Sequence, residues 1–192
     1  MGEPAFPRLR RLTVDEALRM VQAGVLGEHE PVELLDGWLV EMSPQGPLHA
    51  SSTTNLADRL RETYTDDGHV REEKPLACGI HSLPEPDVAV VKGIPADYVT
   101  QHPSGSDAIL VVELAWSSLD EDRSKAKIYA ASGVPVYWLV DLVARTVTVH
   151  TGPSSDGYRD VAPLHEGTMV PLPGRSMVWP VKELLGPAAT NR

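Results

Sequence analysis

The sequence predicts a mixed α/β fold, an α+β mixed sheet with flanking helices and a hairpin near the N-terminus. Three observations carry that reading. Residues 109–114, Ile-Leu-Val-Val-Glu-Leu, are apolar on both faces, as a central strand covered on both sides must be. Asp36-Gly37 stands between two short apolar runs, the strongest local hairpin signal. The order helix, hairpin, helix, strands, central strand, helix, strands lacks the regular βαβα alternation of a doubly wound sheet.

Residues 1–11, with two early prolines, read as a loose arm. Thr13 caps a first helix. Glu16, three residues on, completes a capping box, and Ala17, Leu18 and Val21 form the apolar stripe. After a loop over residues 24–31, residues 32–36 and 38–42 form the hairpin, and Ser43-Pro44-Gln45-Gly46-Pro47 ends its second strand. A helix is predicted over residues 49–64, with Leu56 and Leu60 at i,i+4 spacing, and Asp66-Asp67-Gly68 stops it. Short strands are expected at 70–73, 76–80 and 87–91, with Pro86 forcing Glu85 to be extended. Residues 92–106 read as a loop with a helical turn. After the central strand, a helix over 119–131 ends at Gly133, with Pro135 beyond. Residues 136–141 and 146–150 form two strands joined by a turn, and 158–161 adds another. The tail frays from residue 186, which leaves 12–185 as one domain.

A chain of 192 residues suits one domain with a full core. Hydrophobic residues at 42% and charged residues at 23% exclude a disordered chain. No apolar run is long enough to span a bilayer, so no membrane partner is expected. The basic start has no apolar stretch behind it, so no secretion signal is expected. The lone Cys78 excludes an internal disulfide framework and a cysteine-rich zinc site, and makes a cytoplasmic setting the expectation. A net charge of −10 argues against broad non-specific binding to nucleic acid, because neutralised phosphates supply most of such affinity. It leaves room for a carboxylate-rich metal site.

Two carboxylates stand out. Asp87 opens a strand directly after Pro86, and Glu113 sits near the end of the most apolar strand. Burying an unpaired carboxylate costs roughly several kcal/mol, which a cation between two of them would offset. Such hard oxygen ligands suit Mg²⁺ or Mn²⁺ better than zinc. On the following helix, Asp122, Lys125 and Tyr129 lie at i, i+3 and i+7 and share one face, with Lys127 roughly opposite. A lysine turned toward a metal site could stabilise charge on a phosphoryl group or help deprotonate a water. Taken singly, each residue has a plainer role: Asp87 as a turn cap, Glu113 as an ion-pair partner, Lys125 as a solvated helix charge. The histidines at 29, 69, 81, 102, 150 and 165 show no metal-ligand spacing.

The order and spacing of residues 33–44, His49, residues 86–91 and 110–113, Asp122-Arg123 with Lys125, and residues 129–141 resemble the Uma2 family. The resemblance implies a restriction-endonuclease-like core of the PD-(D/E)XK class, with Asp87 as the motif aspartate and Glu113 as the motif glutamate. The pattern's lysine, two residues past the glutamate, is Ala115 here. A helix lysine is implied to fill the same space: Lys125, with Lys127 as the fallback. Residues 114–118, Leu-Ala-Trp-Ser-Ser, depart from the family's valine-serine-proline-serine run, with Trp116 replacing a proline and Ala115 a serine. The implied function is a metal-dependent endonuclease acting on nucleic acid, DNA first. Mg²⁺ or Mn²⁺ would be held by Asp87, Glu113 and the Leu114 backbone carbonyl. A homodimer follows by analogy alone. Secondary candidates are Glu33 and Glu41, read as lying on one strand face, with His49, Asp122 and Tyr129. Two readings stay open beside this one: an inactive binding or assembly module on the same fold, and a metal-dependent hydrolase of a small phosphorylated substrate.

Overall fold

A computed structural model describes residues 9–27, 29–116 and 119–186. The arm expected over 1–11 and the tail expected from 186 fall largely outside the described residues.

Helix α1 (Val14–Gln22) opens on the expected capping box. The Thr13 hydroxyl accepts from Glu16 N–H at 3.2 Å, and the Glu16 carboxylate accepts from Thr13 N–H at 2.9 Å. Strands β1 (Val32–Leu35) and β2 (Trp38–Glu41) pair antiparallel through Asp36 and Gly37. Both turn residues have positive φ, 49° and 84°, as a type I′ turn requires. A Cβ on Gly37 would also run into Arg11. Helix α2 (Pro47–Thr63) begins two residues before the expected start, because Pro47 suits a first helical position that needs no N–H.

The main sheet runs in the order β3 (Gly68–Glu72), β4 (Val88–Lys92), β5 (Ala108–Ala115), β6 (Val136–Asp141), β7 (Thr146–Ser154), β8 (Gly157–His165). Only β5 and β6 are parallel, and helix α3 (Leu119–Ala131) makes the crossover that such a pair needs. Two short strands, β9 (Met169–Pro171) and β10 (Val178–Pro180), form a separate antiparallel pair.

The pleat of β5 sorts its side chains into two layers. Leu110, Val112 and Leu114 pack with Leu56 and Leu60 of α2 and with Trp138. Val111 and Ala115 pack on the other side with Tyr129 of α3 and with Tyr137. Each such fully buried large side chain contributes about 1.5–3 kcal/mol.

Three expectations need correcting. Residues 76–80 form no strand: Ala77 makes an isolated bridge to Ser104, and the N–H groups of Leu76 and Cys78 bond to the carbonyls of Pro84 and Ser82. The strand expected at 158–161 runs on through Pro163 to His165. This is tolerated because β8 is an edge strand and needs no outward N–H there. The pair β9 and β10 was not expected at all. Among the described residues, no helix is long and apolar enough to cross a membrane.

Candidate active site

The register of the sheet builds the site. Val88 pairs with Val112 in the antiparallel β4–β5 ladder, so Asp87, one residue earlier, is set against Glu113. The two are locked together: Asp87 N–H donates to Glu113 Oε2 at 3.2 Å, and Leu114 N–H donates to Asp87 Oδ2 at 2.7 Å. Asp87 therefore bridges two strands rather than capping the turn after Pro86.

Glu113 is 2% exposed. Its Oε1 accepts from the Tyr129 hydroxyl at 2.6 Å and lies 3.4 Å from Lys125 Nζ. Burial pushes its pKa well above the usual carboxylate range. Lys125 and Tyr129 pull against that rise without cancelling it, while Asp87 and Asp122 add to it. The Tyr129 hydroxyl is likewise pushed up, first by burial and then by Glu113.

Helix α3 turns Asp122, Lys125 and Tyr129 inward together, with Asp122 4% and Lys125 6% exposed. Lys127 is exposed, and the geometry gives it no part in the cluster. Lys125 Nζ lies 2.8 Å from Glu33 Oε1 and 4.0 Å from Asp122 Oδ1. Burial works against the ammonium charge. Glu113, Glu33 and Asp122 outweigh it and hold the pKa above that of an ordinary lysine. The Asp122 carbonyl accepts from the Tyr137 hydroxyl at 2.9 Å, which ties α3 to β6.

Glu33 arrives on the hairpin. Leu83 N–H donates to the Leu34 carbonyl at 2.7 Å, which docks β1 on the segment leading into β4. Glu33 Oε2 then accepts from Glu85 N–H at 3.1 Å. Glu41 does not join it. Glu33 pairs with Val40 and Glu41 with Val32, so the two glutamates point to opposite faces of the hairpin, and Glu41 is exposed. The expectation that they share a face was wrong by one residue of register.

His49 stands in the first turn of α2, with Nε2 3.2 Å from Asp87 Oδ2. Its Nδ1 is buried without a hydrogen-bond partner. Burial lowers its pKa, but the Asp87 carboxylate and the Leu114 backbone outweigh that and leave it raised.

Glu33, His49, Asp87, Glu113, Asp122 and Lys125 line an open cleft of about 600 Å³, together with Met42, Pro44 and Trp116. The cleft also holds Glu85, Glu73 and Gln45, which sequence reasoning did not single out for the site. Gln45 Nε2 donates to Glu73 Oε1 at 2.8 Å across it. Burial, then Glu33, raises the pKa of Glu85. The signal for Glu85 was present: Pro86 keeps 85–87 extended, so side chains at 85 and 87 fall on one side.

The donor set suits a hard divalent cation. Among the described residues, no group of three or more His, Cys, Asp or Glu side chains forms a metal-holding cluster. Mg²⁺ does not need one, because it usually binds through one or two carboxylates and fills its remaining positions with water and phosphate. Asp87 and Glu113 are two such carboxylates, set side by side in the cleft.

The sequence profile of the Uma2 family, described as "Putative restriction endonuclease", matches residues 14–179. The chain belongs to the Uma2 family. No curated protein matches it. Among solved structures, a "putative nuclease belonging to DUF820" from Anabaena variabilis is similar with a TM-score of 0.71 at 19% identity, covering 91% of this chain and 97% of that one. At that identity the likeness shows a shared fold. The type IIG restriction endonuclease BpuSI gives a TM-score of 0.38 at 12% identity over 63% of this chain and 13% of that one, too low to carry an argument. In this Uma2 chain, the position two residues past the glutamate is Ala115, 1% exposed in the apolar layer, while Lys125 reaches the glutamate from α3.

Proposed function

We propose that this Uma2 chain is a divalent-metal-dependent endonuclease that hydrolyses phosphodiester bonds in nucleic acid, with DNA as the first candidate. One juxtaposition carries the reading: an aspartate before β4, a glutamate on β5 and a lysine from α3 meet in one cleft, with Lys125 Nζ 3.4 Å from Glu113. In this reading residues 12–185 act as one domain, and the working form is a cytoplasmic homodimer.

Asp87, Glu113 and the Leu114 carbonyl would hold Mg²⁺ or Mn²⁺, which supplies Lewis acidity and a bound water of lowered pKa. The remaining roles belong to the chain. The Leu114 N–H fixes the orientation of Asp87, and the Tyr129 hydroxyl fixes that of Glu113. Lys125 neutralises charge that develops on the phosphoryl group. Glu33 positions Lys125 by pairing with it at 2.8 Å. His49, in the first turn of α2, also holds Asp87, at the same Oδ2 that the Leu114 N–H bonds.

The test is cleavage of plasmid and single-stranded DNA with Mg²⁺ or Mn²⁺. Asp87→Asn is the first variant, because Asp87 is less deeply buried than Glu113. Its activity should fall by about a hundredfold or more, with the fold intact. Cleavage equal to that of the wild type would refute the assignment. An inactive binding or assembly module is the rival reading. It is favoured by a cleft in which six carboxylates face one lysine among the described lining residues. It requires no ion binding that depends on Asp87.

A further inference from the structure

Trp116 is not used by the chemistry above, yet it stands beside it. It follows Ala115 at the end of β5, three residues past Glu113, and lines the same cleft. It is 47% exposed, whereas Trp138 is 0% and Trp179 6% exposed within the core. The fourth tryptophan, Trp38, is also exposed, but it sits on the hairpin and does not line the cleft. An indole nearly half open to water in the lining of the cleft offers a large flat surface.

The charge of the cleft says what that surface is for. Glu33, Glu73, Glu85, Asp87, Glu113 and Asp122 line it, and its lysine is already paired with Glu33 and Glu113. Polynucleotides usually gain affinity by displacing counterions from phosphates with free lysine and arginine. Among the described lining residues Lys125 is the one lysine or arginine, so a bound strand gains affinity there from a contact of another kind. Stacking of bases on an aromatic ring is such a contact, and it tolerates any sequence. A base inside a duplex has both faces covered by its neighbours and costs about a few kcal/mol to extrude, so an already unpaired base uses the ring most readily. The apolar Met42 and Pro44 line the same cleft, whose volume is about 600 Å³.

We propose that Trp116 stacks on an unpaired base next to the scissile phosphate, and that the substrate is single-stranded nucleic acid. This rests on the nuclease reading and narrows its substrate class.

The test measures anisotropy of a labelled single-stranded oligonucleotide and of its blunt duplex, with Ca²⁺ supplied, for the wild type, Trp116→Phe and Trp116→Ala. The wild type should prefer the single strand. Trp116→Ala should bind the single strand about tenfold or more weakly, and Trp116→Phe should keep most of the affinity. Equal single-strand binding by Trp116→Ala, or a wild type that prefers duplex, would overturn the proposal. A parallel cleavage assay separates the two levels. A wild type that cleaves neither form with Mg²⁺ or Mn²⁺ refutes the nuclease reading as well. A wild type that cleaves single strands no faster than Trp116→Ala refutes the stacking role alone.

Discussion

The two faces of β5 do opposite jobs. Toward α2, the strand presents Leu110, Val112 and Leu114, all fully buried against Leu56, Leu60 and Trp138. Toward α3, it presents Val111 and Ala115 with Glu113 between them, and Glu113 meets Tyr129 and Lys125. The first face is uniform packing. The second interrupts an apolar layer with a carboxylate whose ionised form its own surroundings disfavour. One strand can thus anchor the fold on one side and hold an unstable charge cluster on the other. The α2 face supplies the stability that makes the α3 face tolerable.

That contrast can be broken first at Lys125. Lys125→Met would leave buried Glu33 and Glu113 without their shared cation and should cost about 3–5 kcal/mol in urea unfolding. Adding Glu33→Gln should restore part of the loss. A variant as stable as the wild type would show that the cluster is better solvated than its burial implies. On the other face, Leu110→Ala should cost about 2–5 kcal/mol through the cavity it opens, equally at every pH and with no change in ion binding.

Glu113→Gln sharpens the contrast through its sign. The folded-state pKa of Glu113 is raised above its unfolded value, so the native state keeps this proton longer. Its contribution is fully present below the unfolded pKa, about 4.3, and is lost as pH rises through the folded pKa. The wild type, held free of divalent ions, should therefore lose stability across that rise, and Glu113→Gln should lose less. Thermal melts at about pH 5 and about pH 8 read this directly, with the variant gaining on the wild type at the higher pH. Parallel pH trends would contradict the burial argument. The smallest effect is expected far from the sheet: Thr13→Ala removes the α1 cap and should cost about 1 kcal/mol, leaving the cleft's ion binding unchanged.

Much of this was legible in the sequence where local chemistry decides structure. The Thr13–Glu16 box, the Asp36-Gly37 turn and the doubly apolar β5 each carry their own signal. So did the shared face of Asp122, Lys125 and Tyr129, which follows from helix periodicity alone. What depended on distant partners was not legible. Residues 76–80 have strand-like composition but find only loops to bond to. The prolines in β8, β9 and β10 hid strands that are edges or short pairs. Glu41 was misread because the hairpin register, not the spacing, decides which face it takes. Glu85 and Glu73 join the cleft only once the segments around β1, β3 and β4 come together.

The most direct measurement is a calorimetric titration of Mn²⁺ into the wild type, Asp87→Asn and Glu113→Gln. The account predicts saturable binding to the wild type that either substitution abolishes while the fold persists. Binding that survives both substitutions, or a wild type that takes up no ion, would contradict it.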